Sequence, residues 1–339
     1  MIATAPGKLI LTGEYAVLDG APALVIAMNR RVIARRRSGP RGSSPFLVAV
    51  ADEIAHRLGA DHPAAAAALE IVVDSTAFYE GAQKLGLGSS AAVTVAATAL
   101  ALATGHEAVP LIDRELVLAI AGAAHAAAQG SRGRESSGDL GRPRPASRSP
   151  RARGSGADIA AAVHGGLIEF QRGGPITPLA WPAGVTLVPF FTGASADTAS
   201  LVEAVDAARE REPAAVAAAL AAIDAASRAA CRAVAMRSPA VAASALLSAL
   251  ALGAHAIDRL AEATAVPLVP PSVKAVREAL SRVGGTAKTT GAGGGDIAVA
   301  VMPATEDVTL ARRYVIEAGC QPLPLTVDKT GVDLQADAQ

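Results

Sequence analysis

The stretch KLGLGSSAAVTVAATAL, residues 84–100, sets Gly86, Gly88, Ser89 and Ser90 directly against a long apolar, helix-forming run. The first backbone N–H groups of a helix have no partner within it, and the helix dipole gathers partial positive charge there. Glycines let backbone approach a ligand closely, and an anion such as phosphate is the usual occupant. Ser89 and Ser90 add hydroxyls for phosphate oxygens or Mg²⁺. A plainer reading is a serine N-cap after a tight turn, and capping alone would account for the stretch. It also fits G-x-G-x-x-A, the dinucleotide fingerprint, with Glu107 near the distance of a ribose-binding carboxylate. The other common phosphate loop, G-x-x-x-x-G-K-[ST], is excluded because Leu87, not Lys, follows Gly86.

The rest of the chain narrows the choice. Its 339 residues suggest two domains. Half the composition is apolar but only 3% is aromatic, which implies tight packing of helices around alanine. Basic and acidic residues balance at 31 each, which argues against nucleic acid as the main partner. Cys231 and Cys320 form no metal-binding or disulfide pattern, so a reducing, cytoplasmic setting is expected. The opening MIATAPGKLILTGEYAVL has no basic segment followed by an apolar core, so no signal peptide is expected. Apolar runs are broken by Thr, Gly or charge before the ~20 residues of a membrane span, and no membrane partner is expected.

Residues 7–12 read as a strand, and 21–37 as one or two more, rich in Val and Ile. Helical spacing covers 46–58, 91–103 and 112–128. Residues 165–172 return to strand, and VTLVPFFTG after Trp181-Pro182 suggests entry into a second domain. Helices are expected over 198–232, 239–263 and 274–283, and strands over 296–302 and 322–328. This order predicts two α+β layers, with domains at 1–180 and 181–339. Residues 131–153 hold seven arginines and three prolines with little to bury, the composition of a disordered basic insert.

Three further segments carry chemistry. TTGAGGGDIAVAV, 289–301, clusters Gly291, Gly293, Gly294 and Gly295 before a strand, with Lys288 just ahead. A hairpin needs one or two glycines; four suggest close approach to a ligand or another loop. GSGADIAAAVHGG, 154–166, puts Ser155 and Asp158 at the start of a helix, where a carboxylate also suits the dipole. APGKLILTGEYAVLDGAPAL, 5–24, carries Lys8 on a strand and Glu14 just past it.

Together, and in this order, the four segments resemble the signature motifs of the GHMP kinases over nearly the whole chain. A Rossmann enzyme would leave the opening motif unexplained, and its glycine loop normally follows the first strand. Within the family the chain is most similar to the phosphomevalonate kinases. Lys84 stands where mevalonate kinases show Pro and Gly, Asp296 stands where they usually have another glycine, and AHAAAQG, 124–130, is similar to a helix end of that branch. His125 and Gln129 there share a helix face.

The resemblance implies a ribosomal-protein-like N-terminal domain and a ferredoxin-like C-terminal domain with ATP in the cleft between them. It implies ATP and Mg²⁺ as cofactors and phosphomevalonate as the small-molecule partner, in a monomer or homodimer. It assigns Lys8 and Asp158 to catalysis. Lys84, Gly86, Leu87, Gly88, Ser89 and Ser90 go to the nucleotide, with Ser90 on the metal. Gly291, Ala292 and Gly293 go to the acceptor, with Ser155 beside them. Because two polyanions must then be brought together, Lys8, Lys84 and Lys288 are the candidate lysines, Lys8 and Lys288 on the acceptor. A mevalonate kinase, a diphosphomevalonate decarboxylase and a homologue without turnover remain alternatives on the same motifs.

Overall fold

The computed structural model describes residues 1–36, 44–135 and 154–337, with the backbone alone for 131–135. In chain order these form β1 (Ile2–Ile10), β2 (Ala23–Arg36), α1 (Pro45–Leu58), α2 (Pro63–Ala68), β3 (Ile71–Asp74), β4 (Tyr79–Glu80), β5 (Gln83–Lys84), α3 (Ser89–Leu102), α4 (Arg114–Glu135) and α5 (Ala157–His164). There follow β6 (Leu167–Phe170), β7 (Thr177–Leu179), β8 (Val185–Phe191), α6 (Thr198–Arg211), α7 (Pro213–Val234), α8 (Pro239–Thr264), α9 (Pro271–Ser281), β9 (Thr286–Thr289), β10 (Ile297–Pro303), α10 (Val308–Glu317), β11 (Gln321–Pro322) and β12 (Asp333–Gln335).

Two main antiparallel sheets organise the chain. The first runs β12-β1-β2-β6-β7, with β3 also paired to β2. Helices α1 to α5 pack with this sheet around a core that includes Leu9, Met28, Ile54 and Phe78. The second runs β11-β8-β10-β9. Numbered from β8, that is the order 4-1-3-2, and the helices fall after its first and third strands, as in a ferredoxin-like unit. Phe190, Val276, Ala300 and Val315 knit this sheet to α9 and α10.

Local chemistry explains most elements. Pro213, Pro239 and Pro271 each open a helix, where a missing N–H costs nothing and φ is already helical. Twelve of the fourteen α3 residues are buried, so it is apolar all round and runs through the core. Its Thr94 and Thr98 hydroxyls donate back to the carbonyls of Ser90 and Thr94, both at 2.8 Å, which satisfies them without water.

Several expectations need correction. Of the one or two strands expected over 21–37, a single strand forms, β2, over 23–36. The helix expected over 198–232 breaks at Glu212, where Pro213 restarts it as α7. In 322–328 only a two-residue pairing and a single Met28–Val327 bridge form, because every second residue of PLP is a proline without an N–H. The partition at 180/181 also fails at the chain's end. β12 pairs with β1, Ile2 opposite Gln335, so the tail returns to the first sheet. Asp328 receives Arg31 there, and Asp328 N–H donates to Ala27 at 2.9 Å. The α4 backbone runs five residues into the expected insert; the remainder, 136–153, lies outside the described residues. Finally, α7 and α8 are long and apolar enough to cross a membrane by length and composition, contrary to the sequence expectation. They pack on each other, with Ile223, Ile257 and Leu260 in a common core.

Candidate active site

Lys8 is the hub of the site. Its backbone N–H donates to Leu87 O at 2.9 Å, which ties β1 to the glycine loop. A register shift between Pro6 and Gly7 bends β1 at this point. The Lys8 side chain runs over Gly88, its Cε 3.1 Å from where a Cβ on that glycine would stand, with the Asp158 Cβ 3.7 Å from the same point. Loop, lysine and aspartate therefore meet around one glycine that can carry no side chain. Burial lowers the Lys8 pKa, while the Asp158 and Asp296 carboxylates act to raise it.

Two helices start here. Both α3 and α5 are preceded by a left-handed glycine, Gly88 at φ 76° and Gly156 at φ 87°. Neither start has a side-chain cap, so the serine-cap reading of 84–100 does not hold: Gly88 is the capping residue. An uncapped helix start behind a left-handed glycine presents N–H groups to an anion. Asp158 lies in the first turn of α5 and accepts the Ile159 N–H at 3.0 Å. The Ser155 hydroxyl accepts from Ala157 N–H at 3.2 Å.

A cavity of about 500 Å³ opens beside Lys8. Lys8, Ser155 and Asp158 form one side, and Gly291, Ala292 and Gly293 the other. From the first glycine loop only Gly86 reaches it. Ser89 is buried, Ser90 is half-buried, and Lys84 is exposed on β5. The Leu87 side chain is fully buried in the core, which leaves only its backbone to face a nucleotide.

The second glycine loop joins β9 to β10. Its glycines serve neighbouring backbone as much as a ligand. Gly293 is crowded by Leu268 O, and a Cβ on Gly295 would stand 2.7 Å from Ala194 O, whereas Gly291 is open. The Tyr15 hydroxyl donates to Ala292 O at 2.7 Å and so fastens this loop to the segment after β1.

Lys288 corrects an expectation. It is 1% exposed, does not line the cavity, and its ammonium is paired with Glu14 while donating to Thr289 O at 2.9 Å. It lies on β9, inside a sheet, so its reach is spent on a buried partner from the other half of the chain. Burial raises the Glu14 pKa, and the Lys288 charge acts to lower it.

Sequence reasoning did not assign Asp296, Gln129, Tyr15 or Asp197 to the site, though all four line the cavity. Asp296 was visible as an aspartate in a glycine's usual place. It has φ 52°, rare for a residue with a side chain, and its carboxylate fills the notch left by Gly86. Burial raises its pKa, opposed by the Ala196 N–H and by Lys84 and Lys8. Asp197 begins α6 and carried no comparable signal.

Two α+β units, the second with a ferredoxin-like strand order, make up the GHMP kinase fold, and residues 241–319 match the family described as GHMP kinases C terminal. The chain is 28% identical to a phosphomevalonate kinase of Streptomyces sp. strain CL190, over 97% of each protein. Among solved structures it superposes on the Lin0012 protein of Listeria innocua with a TM-score of 0.76 and 21% identity, over 99% of this chain and 100% of that one. The Streptococcus pneumoniae phosphomevalonate kinase in complex with phosphomevalonate and AMPPNP gives a TM-score of 0.74 at 16% identity, over 96% of this chain and 99% of that one.

Proposed function

We propose that this chain transfers the γ-phosphoryl group of MgATP to the phosphate of 5-phosphomevalonate, giving 5-diphosphomevalonate and ADP. The observation that carries the reading is Lys8. It lies over Gly88 of the nucleotide loop, beside Asp158, on the wall of a cavity that the Gly291–Gly293 loop closes from the other side. The full-length similarity to a phosphomevalonate kinase supports the choice of acceptor.

Phosphoryl transfer is chiefly positioning and charge neutralisation. An acceptor phosphate has its second pKa near ~6 and is mostly dianionic at neutral pH, so little proton remains to be removed. Its oxygen attacks the γ-phosphorus, and the bond to the β–γ bridging oxygen breaks toward ADP. The task left to the protein is to bring two polyanions together. Lys8 supplies the charge between them, and Asp158 holds the Lys8 ammonium rather than drawing a proton from the acceptor. Lys84, which interacts with Asp296 near the loop, supplies further positive charge. Lys288, already neutralised by Glu14, does not.

No group of three or more His, Cys, Asp or Glu side chains that could hold a metal gathers among the described residues. That fits Mg²⁺, which binds through phosphates, waters and one or two protein oxygens. Ser90 Oγ would be one of those oxygens, and the ion would neutralise charge on the β- and γ-phosphates. The test is ADP release in a coupled assay with mevalonate, phosphomevalonate and diphosphomevalonate in parallel. Turnover with phosphomevalonate alone is expected. Turnover with mevalonate alone would make the chain a mevalonate kinase, and ADP with CO₂ from diphosphomevalonate would make it a decarboxylase.

A further inference from the structure

We propose that His125 is a positioning residue that joins the nucleotide loop to the acceptor cavity, holding the Ser90 hydroxyl and the Gln129 carboxamide through one ring nitrogen. The inference rests on the kinase reading above. His125 lies in α4 at 4% exposure, its ring stacked on Phe46 with centroids 5.5 Å apart and planes at 20°. A buried imidazole is costly unless its nitrogens are paired. Its Nε2 meets two side chains, Ser90 Oγ at 3.1 Å and Gln129 Nε2 at 3.4 Å.

The chemistry of those two partners sets the direction of the bonds. An amide nitrogen can only donate, so the imidazole Nε2 accepts, and the ring proton sits on Nδ1. The Ser90 hydroxyl then also donates to Nε2, and at 3.1 Å it takes the larger share of that atom's single lone pair, the Gln129 contact at 3.4 Å being the weaker of the two. This turns its proton toward α4 and leaves its oxygen lone pairs for a ligand at the start of α3. Gln129 lines the cavity, and its Oε1 is buried with no hydrogen-bond partner among the described residues. Such an acceptor is expensive to leave unmade. A hydroxylated anion supplies the missing donor, and phosphomevalonate carries a hydroxyl. One side chain thus orients both a nucleotide contact and an acceptor contact.

The experiment is calorimetric titration of the full chain with MgAMPPNP, together with steady-state KM values for acceptor. The variants are Ser90→Ala, His125→Leu, His125→Gln, Gln129→Leu and the Ser90→Ala/His125→Leu double. Losing the Ser90 bond should weaken MgAMPPNP about tenfold in His125→Leu. The double variant should bind no worse than Ser90→Ala, and His125→Gln, whose amide reaches the Nε2 position, should recover most of the loss. Gln129→Leu should raise the acceptor KM while leaving the nucleotide Kd within about twofold. Unchanged MgAMPPNP binding in His125→Leu, or losses that add fully in the double variant, would overturn the relay. Should His125→Leu fail to fold, His125→Gln paired with Ser90→Ala provides the same cycle, and additive losses there overturn it equally. A parent chain that binds no MgAMPPNP would remove the kinase reading and the relay with it. A binding parent with an unresponsive His125→Leu would remove the relay alone.

Discussion

Lysine does two different jobs in this molecule, and position decides which. Lys8 stands at the cavity with a half-met charge, between Asp158 and Asp296, and is available to an incoming anion. Lys288 has a fixed buried partner. Substituting Lys8→Met should therefore reduce kcat by about 10²–10³-fold with the fold intact, more than Asp158→Asn does. Steady-state kinetics of the two variants check the ranking. The reverse order, together with loss of a deprotonated group from the pH profile in Asp158→Asn, would point to a hydroxyl acceptor. Lys288→Met should instead act on stability. It leaves the Glu14 carboxylate buried and alone, which costs about 3–5 kcal/mol. Adding Glu14→Gln removes the orphan charge and should restore much of that loss in urea unfolding.

Helix α3 joins a body packed into the core to a start left open for an anion. Its body is buried on all sides, so its start is held rigidly, and Gly88 leaves that start uncapped. Gly86, at φ 69°, allows the Asp296 carboxylate to enter the loop. Gly86→Ala adds a methyl group where that carboxylate stands and strains the backbone as well. It should raise the KM for MgATP at least tenfold, and Gly86→Ala/Asp296→Gly should recover the steric part but not the strain. Equal KM values in parent and Gly86→Ala would show that the loop is not constrained as its geometry implies. Ser90→Ala, at the same helix start, should weaken use of MgATP and, because it removes the shorter bond to the buried His125 Nε2, lower the melting temperature by only a few degrees with the fold intact; thermal unfolding beside kinetics checks both.

At the scale of the whole molecule, the chain's two ends close the first sheet. β12 covers the free edge of β1, and residues 328–331 are stitched to the first half. Asp328 pairs with Arg31, and Arg114 donates to the carbonyls of His164 at 3.0 Å and Thr330 at 2.9 Å. β1 carries Lys8, so residues 328–337 support the strand of the proposed catalytic lysine from about 320 positions away. Ending the chain at Leu325 should therefore unfold the first unit and not merely trim the second. The expected outcome is an aggregated or molten product by circular dichroism, because β1 then presents an unpaired edge. A cooperatively folded truncation that still binds MgAMPPNP would show that the tail is an accessory.

The sequence by itself located the glycine loop, the Lys8 and Asp158 segments, and the helices with strong apolar period or an N-terminal proline. Those signals are local, carried by φ requirements, caps and spacing within a few residues. Only the tertiary structure decided which charges remain free. Lys288 looked like a substrate ligand because nothing nearby neutralises it; its partner Glu14 is 274 residues away in sequence. The same holds for β12, whose three residues carry no strand signal until β1 offers an edge, and for Asp296, placed in the site by a loop from the other half of the chain. Pairings across such distances depend on the folded arrangement of both sheets, which no single stretch of sequence encodes.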